Sequence, residues 1–341
     1  MPLPFILGAA AAIAAVGGVG SGINGAVKMK EANDTMKSAD SRHKRNIAKF
    51  DETSKATNEV MDTLGALELE ILHSFDDFSN TIEKIQNRPQ FKEYTKNGVK
   101  LPKYDKRTLK NVSVGAGVLL GGLGGAAVGT AGGFAAAGAT TSAVMALGTA
   151  STGTAIASLS GAAATNATLA ALGGGAIAAG GGGIALGTTI LGATTLGVGL
   201  LVGGVIFSVT GGKLSEKADE AWDQMKKAEK TIDTACEYLN DLKAAAKKYT
   251  ASITSVKKKY DGIFGYISYN VNELHMTDWD EFSEEAKIAT QNAVLLVGLL
   301  YKMCQVSLVN KSSNEEEMNT VNHSAINESI NNADIVISSL M

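Results

Sequence analysis

The pattern of hydrophobic positions divides the chain into two kinds of segment. From 214 to 267, apolar or small residues recur at alternating steps of four and three, which is the spacing of a helical seam. A second seam with the same spacing covers 29–85 and weakens around Thr53. Between the two seams, residues 111–212 carry no charged side chain and no recurrent polar face. The pattern therefore predicts two long amphipathic helices that flank an uncharged insert.

The two predicted helices cover 28–87 and 213–270. The first should end before Pro89, because proline disfavours a helical conformation in the residue that precedes it. Since the seams have similar lengths and the insert returns the chain, we predict that the two helices pair antiparallel. The expected fold class is all-α, an elongated antiparallel helical bundle or coiled-coil stalk with a Gly/Ala-rich hydrophobic helical head or transmembrane insert.

The same pattern predicts four domains or segments. A basic connector with an Asn97–Gly98 turn signal follows the first helix, and further helices should begin at Thr277 and near Val321. The predicted boundaries are 1–27 for an apolar N-terminal helix, 28–110 for the first stalk helix with its connector, 111–212 for the membrane-active insert, and 213–341 for the second stalk helix with the C-terminal helices.

Glycine is concentrated in the uncharged insert, where 28 of the 39 glycines in the chain lie between Asn111 and Gly212. In a helix, glycines at steps of four form a ridge that lets neighbouring helix backbones approach closely, as transmembrane helices do. We predict that these ridges and the densest apolar stretch carry helix packing and membrane insertion. The predicted residues are Gly117, Gly121, Gly125, Gly129, Gly133, Gly175, Gly183, Gly187, Gly199, Gly203, Leu200, Leu201 and Val202.

Composition indicates no catalytic or nucleic-acid chemistry. The net charge is −3 and no segment of domain size is strongly basic, so nucleic acid is not an expected partner. Cys236 and Cys304 are isolated from each other and from the four histidines, so the spacing of a metal site is missing. We therefore expect no enzyme, no cofactor and no metal.

The N-terminal apolar segment, 1–27, has no Lys or Arg before its apolar run, whereas Lys28 and Lys30 follow it. A secretory signal peptide has its basic region first. We therefore expect a retained helix or anchor in a protein that is made in the cytoplasm without a cleavable signal and is membrane-associated or secreted by a signal-independent route.

A long helical hairpin around an uncharged insert resembles the α-helical pore-forming toxins of the cytolysin A and haemolysin BL/Nhe type. The resemblance is architectural and implies a head over 111–212, a stalk over 28–87 and 213–270, and a mobile pore helix over 1–27. The insert is longer and richer in glycine than the head of that family. Its run GGGAIAAGGGGIALG (173–187) also resembles glycine-zipper tracts of apolipoprotein L-like and uncharacterised bacterial proteins.

The resemblance implies a pore-forming toxin or effector that binds a lipid membrane and oligomerises with itself or with sister subunits. Two alternatives stay open. Positive residues on both sides of the insert also suit a constitutive membrane protein with a cytoplasmic coiled-coil stalk. A soluble coiled-coil scaffold or adaptor could instead bury the insert in its own bundle. Gly, Ala, Ser and Thr are nearly neutral for insertion, which favours a segment that enters lipid conditionally.

Overall fold

The computed structural model describes residues 24–96, 98–122, 214–310 and 319–340, which are predominantly helical. The chain divides into two compact units. The described part of unit 1 consists of residues 24–53 and 214–237, and that of unit 2 consists of 54–96, 98–122, 238–310 and 319–340. Two long helices contribute residues to both units: α1 (Asn24–His73) and α4 (Leu214–Ser268).

The other elements belong to unit 2. Helix α2 (Phe75–Glu83) follows α1 after a single non-helical residue, Ser74. The hairpin β1 (Tyr94–Lys96) and β2 (Val99–Leu101) leads to α3 (Lys106–Gly122). The remaining elements after α4 are a π-helical turn (Tyr269–Glu273), a 3-10 turn (Trp279–Glu281), α5 (Glu284–Met303), β3 (Val309–Asn310), β4 (Thr320–Val321) and α6 (His323–Ser338).

The seam predicted for the second long helix is the buried face of α4. Every seam position from Ala218 to Ile267 is buried except Ile263, which is half-buried. In unit 1 this face is mostly alanine, which lets a neighbouring helix come close, whereas in unit 2 it carries Leu239, Tyr249 and Tyr260. The buried side chains of this face are therefore mostly small in unit 1 and larger in unit 2.

The predicted antiparallel pairing is wrong, because α1 and α4 run parallel in each unit. In unit 1, Arg42 pairs with Glu229 at 3.0 Å and Lys49, further along α1, pairs with Asp233, further along α4, at 2.8 Å. The partner numbers rise together, as they do only in a parallel pair. The physical reason is that 140 residues separate the two helices (74–213), so the connection is long enough to bring the chain back to the start of α1.

Unit 2 has the same direction. The Thr57 hydroxyl donates to the Leu239 carbonyl at 3.0 Å, and Lys257 lies 3.3 Å from Glu70. Beyond the ends of the long helices, Lys84 donates to Asn272 at 2.6 Å. The partner numbers rise together along both helices, so the pair is parallel within unit 2 as well.

One hydrophobic cluster in unit 2 contains buried residues of α1, α2, α4, α5 and α6. The fully buried Tyr249 joins α4 to α5 and α6, since its hydroxyl donates to the Met303 carbonyl at 2.8 Å and lies 3.1 Å from the Ser329 hydroxyl. An aromatic cluster closes the end beside α2, where Phe78 meets Tyr104, Tyr260 and Phe264 at ring distances of 5.5–6.2 Å.

Local capping sets the helix boundaries of the C-terminal part. Ser283, rather than the predicted Thr277, caps α5 by accepting a hydrogen bond from the Ala286 amide. Asn322 caps α6 in the same way through the Ala325 amide. Thr277 instead belongs to a short bridge, because its carbonyl accepts from the Gln86 amide at 2.7 Å. Both predicted C-terminal helices are therefore present, and α5 begins later than predicted.

Candidate functional site

The most distinctive site in unit 1 is the end at which both long helices begin. Helix α1 begins at Asn24 and α4 begins at Leu214, which are the points where the two uncharged segments of the sequence, 1–27 and 111–212, give way to charged helix. Because the helices run parallel, both starts lie at the same end of the unit. We call this end of unit 1 the shared end.

Packing near the shared end relies on small side chains. Ala32 and Ala39 of α1 are buried, as are Ala218, Ala221 and Ala228 of α4. Burying alanine removes little apolar surface from water, so each contact stabilises the pair only slightly, at ~25 cal/mol per Å². Two larger side chains of α4, Met225 and Ile232, are also buried in unit 1, so small and large residues alternate along its face.

Ion pairs fix the register of this pair. The Arg42–Glu229 contact also places the Arg42 guanidinium over the Trp222 ring, 5.7 Å from its centroid. The hydrogen bond and charge of Asp233 raise the pKa of Lys49. The Arg42–Glu229 pair and the exposed Lys49–Asp233 pair act between the helices, so they favour the parallel register over a shifted one even where each contributes little stability.

Charges next to the shared end are mixed. Lys28 and Lys30 are exposed on the first turns of α1, and Lys217 is half-buried on the first turn of α4. Glu31 and Glu216 stand beside them. Lysines that flank an uncharged segment are the feature that topology in membranes depends on, whereas acidic residues have little effect there. Each uncharged segment is thus followed by lysine near the start of α1 or α4.

His43 is a polar member of the α1 seam in unit 1 that the sequence pattern missed. It is 4% exposed, and burial lowers the pKa of its imidazole although Asp40 opposes the shift. Thr57 and Glu68 are the corresponding buried polar residues in unit 2. All three lie three or four positions from apolar seam residues of α1. A search of the sequence by spacing alone, without regard to polarity, would therefore have identified them.

Of the predicted packing and insertion residues, the structure describes Gly117 and Gly121, both in α3. A Cβ atom built on Gly117 would lie 3.0 Å from Cε1 of His73, so this glycine faces α1 at close approach. The His73 ring also lies 3.3 Å from the Ser113 carbonyl, and the Ser113 hydroxyl donates to the His73 carbonyl. The other predicted residues lie outside the described part: Gly125, Gly129, Gly133, Gly175, Gly183, Gly187, Gly199, Gly203, Leu200, Leu201 and Val202.

Two further observations concern the described residues alone. None of their helices is both long enough and apolar enough to cross a membrane. No group of three His, Cys, Asp or Glu side chains in these ranges is arranged to hold a metal ion.

Comparison with known proteins finds no relative: no protein-family model matches the chain, and neither does any curated protein or solved structure.

Proposed function

We propose that this protein inserts its uncharged segments into a lipid bilayer and permeabilises it as an oligomer. The observation that carries the proposal is the shared end of unit 1, where parallel pairing brings together the exits of 1–27 and 111–212. Two uncharged segments that leave one end of a charged helix pair can enter one membrane from one side.

The chemistry of the two segments supports lipid as their partner. Neither segment carries a charged side chain, and 111–212 is too long to be an ordinary linker between two folded elements. A backbone in lipid must satisfy its hydrogen bonds internally, which helices do, and ridges of glycine let such helices pack closely. Gly117, the first residue of the predicted ridge, faces His73 of α1 at close approach. Close packing between copies is the step that would build a pore from several chains.

Conditional entry into lipid is the form of this proposal that the composition favours. Gly and Ala contribute little to insertion, and Leu, Ile and Phe contribute more. Charged unit 1 and the well-packed core of unit 2 give the chain a folded part outside the bilayer. The resting protein is thus proposed to be a folded helical protein that binds membranes as a homo-oligomer or with sister subunits.

The likeness to the cytolysin A and haemolysin BL/Nhe toxins is carried over only in part. The antiparallel stalk is absent from the proposal, because α1 and α4 are parallel. What carries over is a helical body, a long uncharged insert and an apolar N-terminal segment that act on the same membrane. In the parallel arrangement both segments end at the starts of α1 and α4, although 111–212 begins in α3 of unit 2.

The second candidate is a constitutive membrane protein with a cytoplasmic helical part. The observation that favours it is the set of lysines at the shared end, Lys28, Lys30 and Lys217, since positive flanks mark the cytoplasmic side of spans. The two candidates differ in the resting state. The first predicts recovery without detergent followed by binding to vesicles, and the second predicts recovery only with the membrane fraction.

A charge placed in the densest apolar stretch tests permeabilisation. Leu200→Asp places a carboxylate where a charge at a bilayer centre costs about 3 kcal/mol, so we expect release of dye from loaded vesicles to slow by more than tenfold. Leu200→Ala is the matched control and should leak like the parent. Circular dichroism first establishes that both variants are folded. Dye release by folded Leu200→Asp at the parental rate would overturn the proposal.

A further inference from the structure

The part of α4 that belongs to unit 2 is strongly basic, although the whole chain has a net charge of −3. Residues 242–268 contain six lysines and one acidic residue, Asp261. Asp261 is paired with Lys257 at 2.8 Å, and Lys257 also lies 3.3 Å from Glu70 of α1. The other lysines of this stretch therefore keep their charge without an acid of their own segment to neutralise it.

Four of these lysines lie on one exposed side of α4. Exposed residues recur at steps of four and three from 247 to 269, and the opposite side of the helix carries the buried Tyr249 and Tyr260. Lys248 donates to the uncharged side chain of Asn327 at 2.9 Å, and the described residues offer none of the four lysines an ion-pair partner. We call this exposed side the lysine face, and its charged and aromatic members are Lys247, Lys248, Lys258, Lys259, Tyr266 and Tyr269.

The C-terminal end of the lysine face is apolar. Tyr266 is 40% exposed and Tyr269 is 57% exposed, and Leu274, whose amide donates to the Tyr269 carbonyl at 3.1 Å, is 51% exposed. Three of the five large hydrophobic side chains that are exposed in the described part of the chain thus lie within nine residues. The surface before these tyrosines is open, since a Cβ atom built on Gly262 or Gly265 would meet nothing within 4 Å.

An anionic bilayer complements this combination of charge and rings. Lysine near a membrane surface strengthens binding to anionic lipid by about fivefold per residue. Tyrosine is enriched at the membrane–water interface, where its ring sits at the level of the headgroups. The face extends over about 33 Å of one helix, so its lysines and tyrosines can meet one flat surface together. A nucleic acid would also attract the lysines, but its phosphates would leave the exposed Leu274 in water.

We propose that the lysine face docks unit 2 on a bilayer that contains anionic lipid. The lysines contact the headgroups, and the tyrosines with Leu274 enter the boundary between headgroups and acyl chains. The exposed Glu273, on the turn after Tyr269, limits the face at this end. That the partner is a lipid rests on the proposed function, whereas docking itself requires neither the shared end nor insertion of 111–212.

Co-sedimentation with vesicles tests the docking. Vesicles of phosphatidylcholine are compared with vesicles in which about one lipid in three is phosphatidylglycerol. The parent should bind the anionic vesicles at least tenfold more tightly, and high salt should remove the difference because it screens exposed charges. Lys258→Gln with Lys259→Gln should weaken binding by about thirtyfold, at fivefold per lysine. The matched control, Lys100→Gln with Lys103→Gln, removes two exposed charges in and after β2 and should change binding less than threefold.

A second double variant tests the apolar end of the lysine face. Tyr266→Ser with Tyr269→Ser removes both rings without changing the charge and should weaken binding at least fivefold. The substituted side chains are exposed, so circular dichroism should show parental helix content in each variant. Parental binding by both double variants would overturn the docking, as would equal binding of the parent to the two kinds of vesicle. Binding to a DNA duplex but not to anionic vesicles would overturn it as well and assign the face to nucleic acid.

Dye release, measured separately, distinguishes failure of the docking from failure of the proposed function. Folded Leu200→Asp should bind anionic vesicles like the parent, although its dye release is lost. A parent that binds through the lysine face and releases no dye would leave the docking supported and the proposed function refuted. Dye release by the parent, with parental binding in both double variants, would refute the docking and leave the proposed function standing.

Discussion

A disulfide between α1 and α4 tests the parallel direction of the two long helices in unit 1. Half-buried Phe50 and buried Ala235 are seam residues close to the Lys49–Asp233 ion pair, one on each helix. The variant Phe50→Cys with Ala235→Cys, made with Cys236→Ala so that the neighbouring native thiol cannot compete, should form the disulfide under mild oxidation. The two cysteines should meet because the Lys49–Asp233 ion pair, with 2.8 Å between its charged atoms, makes the two helices neighbours at this level.

The size of the effect follows from the loop that the bond closes. Residues 50 and 235 are 185 positions apart, so closing the loop removes about 5 kcal/mol of chain entropy from the unfolded state, an upper figure for engineered bonds. Guanidinium unfolding followed by circular dichroism should therefore show a higher midpoint for the oxidised variant than for the reduced one. Mobility on a non-reducing gel reports whether the bond has formed.

The contrasting pair is Phe50→Cys with Val256→Cys, which would be neighbours if the helices were antiparallel. Val256 lies 21 residues beyond Ala235 on α4, about 31 Å along one helix, and a disulfide needs Cα atoms within about 7 Å. We expect no bond in this pair. A bond between 50 and 256, with none between 50 and 235, would refute the parallel assignment and with it the shared end.

Two other predictions concern single side chains. Tyr249→Phe removes the hydroxyl that donates to the Met303 carbonyl and should lower the free energy of unfolding by about 1 kcal/mol. The control is Tyr238→Phe, whose buried hydroxyl has no hydrogen-bond partner among the described residues, so the free energy of unfolding should change little. Urea unfolding of both variants is the check, and equal losses would contradict the Tyr249–Met303 hydrogen bond. Burial lowers the pKa of His43 below its unfolded value of 6.5, so the unfolded chain binds more protons and the contribution of His43 to stability should be fully present above pH 6.5 and be lost as the pH falls toward the folded pKa. His43→Gln should therefore have a smaller loss of unfolding midpoint between pH 7.5 and pH 5.5, and an unchanged loss would show that His43 does not carry this pH dependence.

The seams could be predicted from the sequence because burial of one helix face imposes its own spacing. The α4 seam is confirmed from Ala218 to Ile267. The first helix is also present, although its predicted span of 28–87 is interrupted at Ser74. There the serine hydroxyl donates to the Ile71 carbonyl at 2.7 Å, a local bond that competes with the helix and that hydrophobic periodicity does not reveal.

The direction of pairing could not be predicted, because a seam has the same spacing whichever way its partner runs. Only the contacts that cross between helices, such as Arg42–Glu229, distinguish the two directions. The hairpin of β1 and β2 was missed for a different reason: three-residue strands are too short to give a period, and only the Asn97–Gly98 turn signal marked the place. Gly98 there has a φ of 82°, which glycine adopts without strain.

The shared end bears most on function and was the hardest feature to foresee. The two uncharged segments are visible in the sequence, where they precede Lys28 and Lys217. Their meeting depends on the direction of α4, which is a tertiary property. The sequence therefore shows that two segments are uncharged, and the parallel packing of unit 1 brings together the helix starts that follow them.

The central claim is that both uncharged segments enter the same membrane from the shared end, and depth measurement in vesicles tests it most directly. Environment-sensitive dyes on Met29→Cys and Glu216→Cys, exposed residues at the starts of α1 and α4, are read against quenchers attached to lipid. The same dye on Ala48→Cys, an exposed residue of α1 19 residues (about 28 Å) along the helix from Met29, is the reference. We predict that lipid quenches both helix starts and spares residue 48. Quenching at only one helix start, or at neither, would contradict the account.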